Sequence, residues 1–235
     1  MAVNIPERLL QVEEKIDRAL RRAGRNRNEI KLMAVTKNHP LETVEAAWKA
    51  GLKLFGESKV QEAMAKFPEF LENHSKDGAV LHLIGSLQRN KAKNAAAFFN
   101  CIQSIDRDSL INELGSLTCN RENPLMILLE FHTGEETKAG FSDLDSLFRA
   151  AEKVLSFKGL CPEGLMTMAP YTTDTDAIRS SFRKLASARG ELEKRFPGYW
   201  HCLSMGMSND FDIAIEEGST LIRIGTALFG ERVHD

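Results

Sequence analysis

"KLMAVTKNHPLETVEAAWKAG", residues 31 to 51, carries the unit from which the rest of the chain is read. The apolar run from Leu32 to Val35 suits a buried strand. Lys37 stands just past its end, Pro40 suits the first residue of a helix, Leu41, Val44 and Trp48 share one helical face, and Gly51 supplies a stop. A lysine so placed is either the first solvated residue after a strand or an amine delivered to a site at the strand's end.

The same alternation recurs along the chain. Residues 52–55, 79–85, 101–106, 125–131, 164–169, 201–206 and 220–225 read as further strands, and helical periodicity follows each but the last, where it is ambiguous. A long helix after the sixth strand repeats Ile178, Phe182, Leu185, Leu192 and Phe196 at multiples of a turn, and Pro197 and Gly198 end it. Before the first strand, Leu9, Val12, Ile16, Ala19 and Ala23 mark an additional N-terminal helix. Eight strands alternating with helices predict an α/β fold, a single (β/α)8 TIM-type barrel spanning residues 1–235, in preference to an open doubly wound sheet.

Composition removes several function classes. With 31 basic and 33 acidic residues, a net charge of -2 gives no global attraction to nucleic acid or to an anionic membrane. Arg89, Lys91 and Lys93, like the arginines at 21, 22, 25 and 27, read as solvated faces. The four cysteines are scattered and the histidines form no metal-binding spacing, which points to a reduced cytoplasmic protein without a metal. Early charges argue against a signal peptide, no stretch is apolar enough to span a bilayer, and the lack of an exposed apolar stripe points to a monomer.

Barrels of this kind act at the carboxyl ends of their strands. The residues placed there include Lys37, Glu57, Ser58, Asp106, His132, Met168, Met205, Gly206, Ser208, Gly225 and Thr226. Gly206 and Ser208 precede one helix and Gly225 and Thr226 follow the last strand, a pair of turns whose N–H groups suit a phosphate. Taken singly, Ser208 is equally a helix cap and Gly225 equally a turn residue. A ligand with both a phosphate and an aldehyde uses these turns and a lysine together, and pyridoxal phosphate is such a ligand. Arg223, on the inward parity of the last strand, suits its pyridine nitrogen, or else pairs with a carboxylate in the barrel mouth.

The segments "AVTKNHP", "FGESKVQEAM", "HLIGSLQRNK", "GEETKAGF", "GLMTMAP" and "LSMGMSNDFDIAIEEGSTLIRIGTALFG" resemble, in order, the motifs of the pyridoxal phosphate homeostasis protein family, from about residue 31 to 230. The resemblance implies a barrel like the N-terminal domain of alanine racemase, with pyridoxal phosphate held as an internal aldimine on Lys37. It matches Ser208, Gly225 and Thr226 to the phosphate, Arg223 to the pyridine nitrogen, and adds Ser58 and Met205 to the cofactor-binding set. Ser58 and Lys59 stand where the family typically has asparagine and tyrosine, and Ser86 where proline is common. The role implied is to carry or buffer the cofactor, to hand it to pyridoxal-phosphate-dependent apo-enzymes, and to help maintain vitamin B6 and amino-acid and keto-acid balance.

The enzymatic alternative is an amino-acid racemase, which needs an acid or base on the face opposite Lys37. The two tyrosines, Tyr171 and Tyr199, have no evident catalytic position, and an arginine at the pyridine nitrogen weakens the electron sink. Binding without efficient turnover is therefore preferred over racemisation or a cofactor-free aldolase. Lys138, between Gly134 and Gly140, is a rival lysine whose default is solvation.

Overall fold

Strands rich in Leu, Ile and Met that are apolar on both faces pair in parallel, because crossover helices then cover the face that would otherwise meet water. A computed structural model describes residues 4–134 and 140–230. Its strands are β1 (Lys31–Val35), β2 (Leu54–Glu57), β3 (Val80–Leu83), β4 (Cys101–Ile105), β5 (Leu125–Glu130), β6 (Leu160–Met166), β7 (Cys202–Ser204) and β8 (Leu221–Ile224). Each pairs in parallel with the next, and β8 returns to β1 with Met33 opposite Arg223, closing an eight-stranded barrel.

The helices are α1 (Ile5–Ala23), α2 (Leu41–Lys49), α3 (Val60–Lys66), α4 (Pro68–His74), α5 (Ala92–Phe98), α6 (Asp108–Thr118), α7 (Leu144–Leu155), α8 (Thr175–Arg195), α9 (Phe211–Glu216) and α10 (Thr226–Phe229). The expected (β/α)8 barrel with an additional N-terminal helix is the architecture observed. Local chemistry sets the helix ends. The Asn4 side chain accepts the Glu7 N–H, Gly24 ends α1 in the left-handed conformation, and Asp143 and Asp174 cap α7 and α8.

Several local readings change, and the largest is that β6 runs from Leu160 to Met166 rather than over 164–169. β2 begins at Leu54 rather than at residue 52, and Pro40 is the N-cap of α2 rather than its first residue. Pro68 starts a separate helix, because at the first helical position its missing N–H costs nothing. The ambiguity after β8 also resolves. α10 is a single turn, and α1 packs against both α9 and α10, so the N-terminal helix covers the seam where the barrel closes.

The main apolar core lies between strands and helices. Inside the barrel are smaller groups, Met33, Val35 and Leu221 in one and Cys101, Leu128 and Met166 in another. Basic residues in the last turn of α1 and just beyond it are met by carboxylates: Arg22 by Glu216 and Asp212, Arg25 by Glu29, and Arg27 by Glu13. Arg89 is paired with Glu113.

Candidate functional site

Alternation along a strand decides which side chains reach the barrel's interior. On β1, Met33 and Val35 face inward, and the same parity carries Lys37 toward the mouth. On β8 it brings Arg223 in, five per cent exposed. A cavity of about 440 Å³ opens at the carboxyl ends of the strands, lined by Lys37, Ser58, Ser208, Arg223, Gly225 and Thr226 among others. Six of the seven residues singled out for cofactor binding thus share one cavity, although they come from four separate strand ends. Met205 does not line it. Ser204 turns inward, so Met205 turns outward and is buried in the layer beneath the helices.

Arg223 is held rather than paired. Its Nη1 donates to the Ser204 carbonyl and hydroxyl at 2.7 and 2.6 Å, and its Nη2 donates to the Thr167 carbonyl at 2.8 Å. The expected alternative, a direct carboxylate partner in the barrel mouth, does not occur among the described residues. Burial brings the guanidinium down to about 10, with Asp210 and Glu130 opposing the shift, so it stays cationic at neutral pH. Ser204 passes the polar chain on. Its hydroxyl donates to Gln103 Oε1, and the Gln103 amide donates to His82 Nδ1, each within 2.8 Å. That direction leaves the His82 proton on Nε2, and burial, with Lys31 adding to it, holds the imidazole below its ordinary range and neutral.

The two turns paired from the sequence meet in space. The Ala227 N–H, in the first turn of α10, donates to Ser208 Oγ at 3.2 Å, which leaves the Ser208 O–H to donate outward. Asp210 accepts the Met207 N–H at 2.5 Å and folds the preceding turn. Gly206 has φ +95, and a Cβ there would lie 2.6 Å from the Ala214 methyl. The turn before α9 therefore needs a residue without a side chain. Gly225 differs, since its nearest neighbour is the Val35 carbonyl oxygen at 3.3 Å.

Lys37 rides on a tight turn. The His39 N–H donates to the Thr36 carbonyl at 3.1 Å, and Asn38 is the one described non-glycine residue with positive φ, at 60°. Beside this turn, sequence reading misses Glu62 and Lys66. They sit on α3 at i and i+4, a spacing that ordinarily marks a solvated pair, and no sequence signal distinguishes them from one. Lys138 lies outside the described residues.

Comparison with known proteins places this geometry. Residues 9–233 match the model of the alanine racemase N-terminal domain family. A pyridoxal phosphate homeostasis protein from Aquifex aeolicus is 40% identical over 233 residues, covering 98% of this chain and 99% of the relative. This chain belongs to the pyridoxal phosphate homeostasis protein family. Another member, from Vibrio cholerae, is 36% identical over 97% of both chains. Among solved structures, an unknown protein from Bifidobacterium adolescentis superimposes with a TM-score of 0.89 at 32% identity, covering 96% of this chain and 94% of its own. PipY of Synechococcus elongatus, solved with PLP bound, superimposes with a TM-score of 0.82 at 31% identity, covering 97% of this chain and all of its own. Alanine racemase from E. faecalis, at 17% identity and a TM-score of 0.70, shares the fold, and this chain covers 59% of it.

Proposed function

We propose that this protein binds pyridoxal phosphate in the barrel mouth and carries or buffers it, serving vitamin B6 and amino-acid and keto-acid homeostasis. The observation that carries the reading is the convergence of an amine, a caged arginine and two joined anion-receptive turns on one cavity of about 440 Å³. When bound, the cofactor would supply an aldehyde, and the Lys37 amine would hold it by condensation with loss of water. Lys37 holds the ligand covalently. Ser208 and Thr226 offer hydroxyls, and the turns at 206–208 and 225–226 offer N–H groups, to the phosphate. Arg223 would donate to the pyridine nitrogen and, being cationic, would keep a proton off it. Ser58 contributes a hydroxyl at the rim, and residues 1–235 act as one cofactor-binding domain.

Two features support carriage over racemisation. Tyr171, on the cavity rim, is 97% exposed, so its phenol faces water rather than a reacting carbon. An unprotonated pyridine nitrogen is also a weak electron sink. No helix among the described residues is long and apolar enough to cross a membrane. The proposed setting is the cytoplasm, with the protein acting as a monomer and pyridoxal-phosphate-dependent apo-enzymes as recipients.

The test is the visible spectrum of the purified protein with added cofactor, before and after borohydride reduction, with peptide mapping. Retention of a yellow band, a label fixed on Lys37, and transfer of cofactor to an apo-enzyme are expected. In Lys37→Ala the band is lost. A protein that stays colourless, or that holds the cofactor without ever exchanging it, sinks the reading. Deuterium entering an amino acid's alpha carbon in a Lys37-dependent way would favour the racemase instead.

A further inference from the structure

Between the barrel and α3 lies a buried ionic cluster whose geometry is directed at one turn. Lys66, with a side chain only 8% exposed, places Nζ 2.8 Å from the Thr36 carbonyl oxygen and 2.9 Å from that of His39. These are the two carbonyls that bracket Lys37 and Asn38. The same ammonium lies 2.7 Å from Glu57 Oε1 and 3.2 Å from Glu62 Oε1. Glu62 Oε1 also accepts the Asn38 N–H at 2.5 Å, and Glu57 Oε1 accepts the Thr36 hydroxyl at 2.6 Å. Thr36, Asn38 and His39, the residues on either side of Lys37, are therefore gripped through backbone or side chain by three charged groups from β2 and α3.

Burying charge to hold a surface turn is costly, and Glu57 shows the cost. It is fully buried, its second oxygen has no hydrogen-bond partner among the described residues, and burial raises its pKa against the pull of Lys66 and Thr36. A hydrophobic pair would stabilise the layer at least as well. What such a pair would not do is fix the two carbonyls and the left-handed Asn38 that set the direction in which Lys37 leaves the backbone.

We propose that Lys66, with Glu62, is a positioning residue for Lys37: it clamps the 36–39 turn so that the Lys37 amine is presented to the cavity in one orientation. This rests on the cofactor reading above, and it adds that the clamp sets attachment to Lys37 without setting affinity for the phosphate.

The test compares the parent with Lys66→Met, Lys66→Arg and Glu62→Ala. Two probes are used: pyridoxal phosphate, followed by its visible band, and pyridoxamine phosphate, which lacks the aldehyde and reports binding alone. Loss of a charge-assisted bond corresponds to about a tenfold effect. Lys66→Met and Glu62→Ala are expected to slow or weaken attachment to Lys37 by about tenfold, with pyridoxamine phosphate affinity unchanged within about twofold and Lys66→Arg restoring part of the loss. Without any ligand, hydrogen exchange at the Asn38 amide rises about tenfold in both variants. Should Lys66→Met not fold, Glu62→Ala decides alone, because it leaves the Glu57–Lys66 pair intact. Attachment at the parental rate, or a parallel loss of both probes, overturns the proposal. A parent that never colours overturns the cofactor reading instead, and unchanged Asn38 exchange in the variants overturns the clamp in either case.

Discussion

Glu130, at the end of β5, is a carboxyl whose acidity its surroundings change. It is six per cent exposed, and burial, with Asp106 adding to it, raises its carboxyl to about 7 against the opposing charge of Arg223. An acid with a raised folded-state pKa binds more protons folded than unfolded between the two values. Its contribution is complete below the ordinary value of 4.5 and is lost as pH rises through about 7. Urea unfolding should therefore show the parent losing on the order of 3 kcal/mol from this group between pH 4.5 and 7. Glu130→Gln should remove that loss and leave stability rising with pH up to about 6.5, the opposing contribution of His82, and an unchanged profile would mean the carboxyl is ionised in the fold. His82 works in the opposite sense, since a neutral buried imidazole costs stability as pH falls below its ordinary pKa. The protein should thus be most stable in a band bounded by these two groups.

At the scale of elements, the two turns of the proposed anion cradle should differ in what they tolerate. Gly206→Ala meets both a positive φ and the Ala214 methyl at 2.6 Å, and should cost about 2 to 3 kcal/mol in denaturant unfolding. Gly225→Ala, with an ordinary φ of -113 and a nearest contact of 3.3 Å, should cost less than about 1 kcal/mol. Cofactor uptake separates their roles further, because an added methyl at 225 crowds β1 rather than the fold of the turn. Most strands were legible in the sequence because their apolar runs are bounded by polar or glycine residues, whereas the first half of β6 was hidden by Pro162, Glu163 and Gly164 within it. The inward parity of Lys37 and Arg223 could be counted along those runs. Met205 could not be phased this way, since β7 is only three residues long and one step of error reverses the face. The α4 helix was hidden because Pro68 reads equally as a stop and as a start. Lys66 was hidden for a different reason: its partners Thr36 and His39 lie 30 and 27 residues away, and no local pattern records such contacts.

Over the whole molecule, the outer ring is completed by the part of the chain that precedes the first strand. α1 buries Ile5, Val12, Ile16, Ala19 and Leu20, and Arg25 just beyond it donates to the Ile215 and Ser219 carbonyls at the end of α9. Five such side chains represent roughly 7 to 10 kcal/mol of burial, comparable with the net stability of a domain. Removal of residues 1–24 should therefore leave a chain without cooperative thermal unfolding by circular dichroism, and a sharp transition in that fragment would show that the seam closes without α1. The seam also runs through the candidate site. Lys37 follows β1, whereas Arg223, Gly225 and Thr226 belong to β8 and the turn after it, and these strands are joined only when the barrel closes. During synthesis the amine emerges from the ribosome roughly 170 to 190 residues before the proposed phosphate turns at 206–208 and 225–226. A growing chain consequently has no place for the cofactor until its last strand is delivered, so ligand cannot steer the early stages of folding and can act only as a latch on the finished ring.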